Sequence, residues 1–169
     1  MSRLVPGPSP AILTAAFSSL LFFAAPVQNR IAELQSQFKR ESDPVRKAKT
    51  LTKLGDAQLE LARRETDAGH ADRALQLIEE YRDEAKIAEA ALKASGLDAE
   101  RQPAGFKQLQ IHVRKSVREI EQTIQALPDE ERPPFEVIRQ ELMHIDKELV
   151  DLLFPRQPGK SANQEKKKG

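Results

Sequence analysis

The sequence predicts an all-α protein, with an N-terminal signal or anchor segment followed by a four- to five-helix antiparallel bundle or helical-hairpin stack. Apolar side chains recur every three or four residues in five separate segments after residue 26, which is the period of an amphipathic helix. Gly and Pro stand at the ends of these segments, as helix stops and starts. No stretch shows the sustained two-residue alternation of β-branched and aromatic side chains that indicates a strand.

Residues 1–25 have the pattern of a secretory signal peptide. Arg3 is the only charged side chain before Arg30, and the apolar run 11–25 ends in small residues. This run of 15 residues is shorter than the roughly 20 that a helix needs to span the apolar core of a bilayer. We therefore expect a periplasmic or secreted protein, with membrane attachment only if the segment stays uncleaved.

The first two predicted helices meet at a clear N-cap signal. Asp43 can cap the second helix, and Pro44 suits a first turn, where no backbone N–H is needed. The predicted bounds are 27–41 and 44–68, and Gly69 can adopt the left-handed conformation that ends a helix. Their apolar faces consist of Ile31, Leu34 and Phe38 in the first helix and of Ala48, Leu51, Leu54, Gly55, Leu61 and Ala62 in the second. Gln58 interrupts the face of the second helix, and we expect it at the rim of the core.

The third predicted helix, 71–94, carries more apolar residues than one face can hold, and Gly96 ends it. Its second apolar side, together with the face of the first helix, would form a contact surface if nothing within the chain covers it. This predicted contact surface consists of Leu77, Ile87, Ala91, Ile31, Leu34 and Phe38.

The last two predicted helices, 104–126 and 133–154, have the most regular apolar stripes. Their average spacing near 3.5 residues favours nearly antiparallel packing, and the short connection 127–132 fits a helical hairpin. The stripes consist of Phe106, Leu109, Val113, Val117, Ile120, Ile124 and Leu127, and of Phe135, Ile138, Leu142, Ile145, Leu149 and Leu152.

The charge distribution argues against a nucleic-acid partner. Residues 26–155 carry 21 basic and 25 acidic side chains, without the basic face that nucleic-acid binding usually needs. The segment 156–169 is a basic tail, which we expect to be disordered. The chain has no Cys, which excludes disulfides and thiolate chemistry.

The motifs indicate no catalytic residue, metal ligand or cofactor. His70, His112 and His144 lack the H-E-x-x-H spacing of a zinc site, and we expect them at surface or boundary positions. The carboxylate pairs on the third helix are expected at its exposed face. Glu141 and His144 have the Glu-x-x-His spacing of a di-metal bundle, but no second copy exists.

Residues 48–85 resemble one helical hairpin of the tetratricopeptide repeat. Leu54-Gly55 stands where that repeat carries its Leu-Gly pair, and the run 69–75 resembles the start of its second helix. The spacing between these two motifs is about one helical turn longer than in the repeat, and no second copy is visible. The resemblance implies that the second and third helices pack as an antiparallel pair, and at the level of the family it implies peptide binding.

Together these patterns indicate an exported helical protein–protein interaction or scaffold domain without catalytic activity. It would bind a protein partner or self-associate, with no nucleic acid and no cofactor. The alternative is a helical bundle that binds a metal, a small ligand or a lipid.

We expect the exported protein to lose 25 or 27 residues, because small or medium side chains at Ala25 and Val27 allow cleavage there. Fractionation of cells that express the full chain, with the intact mass measured in each fraction, checks this. An uncleaved protein confined to the cytosolic fraction would contradict the export prediction.

Overall fold

The computed structural model describes residues 25–155. Apart from Ala25, the predicted signal segment and the basic tail lie outside them. The described residues form five α-helices and no strand, so the all-α prediction is confirmed for this part of the chain. The helices are α1 (Ala25–Arg40), α2 (Pro44–Asp67), α3 (Ala71–Ala94), α4 (Ala104–Ala126) and α5 (Arg132–Leu153), with a 3₁₀ turn at Asp129–Glu131 before α5.

The helix ends have the chemistry that the sequence predicts. Asp43 accepts a hydrogen bond of 2.7 Å from the backbone N–H of Arg46, and Pro44 occupies the first turn of α2. Gly69 and Gly96 have φ angles of +79° and +72°, a region in which a side chain would be strained. These glycines therefore let the chain turn sharply after α2 and after α3.

The helices α2–α5 form two antiparallel hairpins that lie side by side. Helix α2 packs against α3 and α4, and α5 packs against α3 and α4, whereas α3 and α4 touch only lightly. Helix α2 runs parallel to α4, because contacts between them follow the same order along both helices. Val45 lies next to Gly105, and Asp56 further along α2 lies next to Lys115 further along α4. The contacts therefore fit an all-α helical bundle in which α2–α3 and α4–α5 are hairpins.

Helix α1 folds back onto the first hairpin. It packs mainly on α2, and its Ile31 lies beside Leu61 of α2 and Leu77 of α3. Phe38 is buried at the other end of α1, where Lys47 of α2 donates to its carbonyl and lies 4.9 Å from its ring centroid. The apolar face of α1 is therefore used inside the chain.

Ion pairs between the outer faces fix how the hairpins sit against each other. Helix α3 reaches α5 through Lys86 to Glu141 at 3.0 Å and through Lys93 to Glu148. Exposed pairs of this kind each contribute about 0–1 kcal/mol, so they set register more than stability. The buried Leu, Ile and Phe side chains supply the main stabilisation, at about 1.5–3 kcal/mol each.

None of the five helices described has the length and apolar character needed to cross a membrane.

Candidate functional site

The predicted contact surface is largely inside the molecule. Ile31, Phe38 and Leu77 are buried, because α1 lies on α2 and α3 and covers them. Leu34 and Ala91 are half-buried. Of the six residues only Ile87 remains open, at 52% exposure, so they do not form the continuous apolar patch that the sequence suggested.

The Glu-x-x-His motif lies on the surface, and both of its residues have other partners. Glu141 binds Arg82 and Lys86 of α3, and His144 lies 2.9 Å from Glu148 one turn along α5. Within residues 25–155 no group of three or more acidic or histidine side chains is arranged to hold a metal ion.

His112 is the main correction among the histidines, since it is buried rather than at the surface. It lies on the side of α4 that faces α2, and its ring meets the Tyr81 ring edge-on at a centroid distance of 5.5 Å. Its Nε2 atom is buried without a hydrogen-bond partner among the described residues, and Nδ1 lies 3.9 Å from Asp56. Burial lowers the pKa of His112 to about 4, with Asp56 opposing the shift, so the ring is neutral at pH 7.

Two hydroxyl groups complete this polar cluster. Ser116 Oγ lies 2.8 Å from Tyr81 Oη and 2.9 Å from the carbonyl oxygen of His112. Because the carbonyl can only accept, Ser116 donates its hydrogen bond to it and accepts one from the Tyr81 hydroxyl. Burial raises the pKa of Tyr81, so its phenol stays neutral. We call Tyr81, His112 and Ser116 the Tyr–His–Ser cluster.

Gly55 is the reason that this cluster fits between three helices. A Cβ atom at this position would lie inside van der Waals contact of His112 Nε2 and 2.6 Å from Tyr81 Cε2. The absence of a side chain therefore lets α2 approach α3 and α4 closely. The cluster presents no nucleophile to His112 Nε2, because that atom faces Gly55 and the Tyr81 ring, so the arrangement supports packing rather than acid–base catalysis.

A second buried polar group links α2 to α3. Gln58 is fully buried, which corrects the prediction that it lies at the rim of the core, and its Nε2 donates to Glu84 Oε2 at 2.9 Å. Glu84 is 8% exposed, which corrects the prediction that the carboxylates of α3 lie on its exposed face. Burial raises the pKa of Glu84 to about 7, partly offset by the hydrogen bond from Gln58.

An open groove runs between α2 and α4, and His112 is the one member of the Tyr–His–Ser cluster that lines it. Its volume is about 440 Å³, and Ile111 stands in it with 54% of its surface exposed. Lys107 and Lys115 lie one helical turn before and one turn after Ile111, on the same side of α4. The groove is lined by Thr52, Asp56, Ala104, Lys107, Gln108, Ile111, His112 and Lys115.

The sequence contains only weak signals for the buried polar residues and the groove that were not predicted. Gln58 interrupts an apolar stripe, and Gly55 and Tyr81 lie within such stripes, which indicates a close approach of helices. Burial of His112 and Glu84 has no comparable signal, because each lies beside its stripe and is covered only by a third helix. Ile111 lies outside the stripe of α4, and only the tertiary structure places it in a groove.

Comparison with known proteins gives no relative: no family model matches the chain, and no match is found among the curated proteins or the solved structures.

Replacement G55A is expected to destabilise the protein by about 1–3 kcal/mol, because overpacking against two rigid rings outweighs the helix propensity that Ala gains. Urea denaturation followed by circular dichroism measures this loss. The double variant G55A/H112A should lose less than the sum of the two single variants, since removing the imidazole relieves part of the clash. A G55A protein more stable by about 1 kcal/mol, as helix propensity alone requires, would contradict the account.

Proposed function

We propose that this chain is an exported, non-catalytic helical interaction domain that binds a segment of a protein partner in the groove between α2 and α4. The observation that carries the proposal is the placement of Ile111, half-exposed in a groove and flanked by two lysines. The N-terminal signal pattern supports export. The resemblance of residues 48–85 to a tetratricopeptide hairpin is a further argument for peptide binding.

The apolar part of the groove suits one side chain of a partner. Contact with a partner would remove the exposed half of Ile111 from water, at about 25 cal/mol per Å² of apolar surface. The volume of about 440 Å³ lies within the range of known ligand sites, but the groove is open along its length. An extended or helical segment fits such a shape better than an enclosed small molecule does.

The charges favour an acidic group next to that apolar side chain. Lys107 forms no ion pair with any residue in the described range 25–155, whereas Lys115 already binds Asp56 at 2.8 Å and Glu119 at 3.4 Å. The first turn of α4, where the helix dipole is positive, contains no acidic residue. A carboxylate near Lys107 would therefore gain a favourable interaction without displacing an existing partner.

A heterologous partner fits the structure better than self-association does. The predicted self-association rested on α1 and on the second apolar side of α3, and the chain itself covers Ile31, Phe38 and Leu77. The exposed large apolar residues of the described range are spread over three helices and the residue after α5: Ile87 on α3, Ile111 on α4, Val137, Met143 and Leu152 on α5, and Phe154. Of these, only Ile111 lines the groove between α2 and α4.

Selection of random peptides on the full chain tests the proposal, with binding of the enriched peptides measured by fluorescence polarisation. We expect sequences that combine a large apolar residue with Asp or Glu. The variants I111D and K107E should each weaken binding at least tenfold, because they place like charges against the acidic ligand or remove the cation.

The variant V137D is the matched control, because Val137 on α5 is 56% exposed, close to the 54% of Ile111. It should bind the selected peptides as the unchanged protein does. Peptides that bind I111D and V137D equally well, or no enrichment over an unrelated helical bundle, would refute the proposed site.

A further inference from the structure

The groove between α2 and α4 contains a buried side chain with a ring nitrogen that has no hydrogen-bond partner. His112 is 5% exposed and lines the groove. Its Nε2 faces Gly55 and is sealed from solvent. Its Nδ1 faces Asp56, which lines the same groove, at 3.9 Å from Oδ1, a distance too long for a hydrogen bond. Among residues 25–155 neither nitrogen therefore has a hydrogen-bond partner, and Nδ1 is the one turned toward the groove.

The surroundings of the ring place its single proton on Nδ1. Burial holds the pKa of His112 below its ordinary value, so at pH 7 the ring has one N–H and one acceptor nitrogen. A proton on Nδ1 is attracted by the Asp56 carboxylate, which acts on the ring more strongly than Lys115 does. A proton on Nε2 would leave a donor buried against Gly55 and the Tyr81 ring. The groove therefore offers an N–H donor that lacks an acceptor.

We propose that His112 Nδ1–H donates a hydrogen bond to a backbone carbonyl of the partner segment, and that this segment binds in an extended conformation. The inference rests on the proposed binding of a protein segment in the groove. A helical segment pairs its carbonyl groups internally, apart from those of its last turn. An extended segment keeps free main-chain carbonyls along its whole length, and recognition through main-chain hydrogen bonds uses them.

The charges around Nδ1 favour an uncharged acceptor such as a carbonyl. An acceptor bonded to Nδ1 lies close to Asp56 Oδ1, which is 3.9 Å from that nitrogen. A ligand carboxylate there would be repelled, although Lys115 at 2.8 Å from the same oxygen reduces the repulsion. A carbonyl has no net charge and avoids this cost. The acidic group of the partner is then left for Lys107, which lines the same groove.

The positions of Lys107 and Ile111 convert the extended conformation into a sequence pattern. These residues are four apart on α4, which separates them by about 6 Å along the helix axis. In an extended segment, side chains two residues apart lie on one side at about 6.6 Å. In a helical segment, side chains three or four residues apart lie at about 5–6 Å. An extended partner therefore carries its acidic residue two positions from its apolar residue, and a helical partner three or four positions from it.

Peptides selected on the full chain test the conformation through this spacing. Enrichment of an acidic and an apolar residue two positions apart supports the inference, and a spacing of three or four positions overturns it. A thioamide scan of an enriched peptide then locates the hydrogen bond, because sulfur in place of a carbonyl oxygen is a weaker acceptor. At one position the thioamide should weaken binding by about two- to tenfold, the range of a neutral hydrogen bond.

The variant H112F keeps a ring next to Tyr81 but removes both ring nitrogens. In H112F the thioamide at that position should not weaken binding further, since the donor is absent. The matched control H144F changes an exposed histidine of α5 and should keep the loss. Equal thioamide profiles in H112F and H144F, or no sensitive position at all, overturn the inference. If I111D still weakens binding in that case, the groove stands and only the role of His112 fails.

Should H112F fail to fold, nitrogen NMR of the imidazole rings in the unchanged protein at pH 7 decides. His112 should carry its proton on Nδ1, and the Nδ1 signal should shift when an enriched peptide is added. A proton on Nε2, or an Nδ1 signal that does not change with bound peptide, overturns the inference.

Discussion

The close approach of α2 to α3 and α4 at Gly55 is the constraint on which the rest of the structure depends. A Cβ atom there would overlap the rings of Tyr81 and His112, so any larger residue moves at least one helix outward. Helix α1 also packs on α2, so α2 contacts three of the other four helices described, namely α1, α3 and α4. Displacement of α2 would disturb the core, the groove between α2 and α4, and the surface on which α1 packs.

The buried polar groups show how this packing accommodates ionisable side chains. The buried Tyr81 and His112 are held neutral at pH 7, since burial penalises the charged form of each. They do not converge on a water-excluded cleft. Tyr81 of α3 and His112 of α4 contact each other, whereas Glu84 of α3 pairs with Gln58 of α2. The two buried polar groups are therefore separate.

Local patterns predicted the elements well because the helix ends depend on neighbouring residues. The predicted bounds of the third and fourth helices agree with α3 and α4, and Asp43, Gly69 and Gly96 have the predicted roles. The 3₁₀ turn before α5 was missed, since its residues were assigned only to a connection. Burial of side chains beside the apolar stripes was predicted less well, because it depends on which other helix packs there: α2 packs on His112, and Gln58 of α2 binds Glu84. The candidate groove could not be predicted from the stripes, since Ile111 lies outside them.

Native-state hydrogen exchange in low concentrations of urea tests the central role of α2 most directly. If the close approach at Gly55 holds the two hairpins together, the amides of residues 51–62 exchange only through global unfolding. Their opening free energy would then equal the free energy of unfolding measured by urea denaturation. Exchange of these α2 amides through a smaller opening, while α4 and α5 remain protected, would contradict the account.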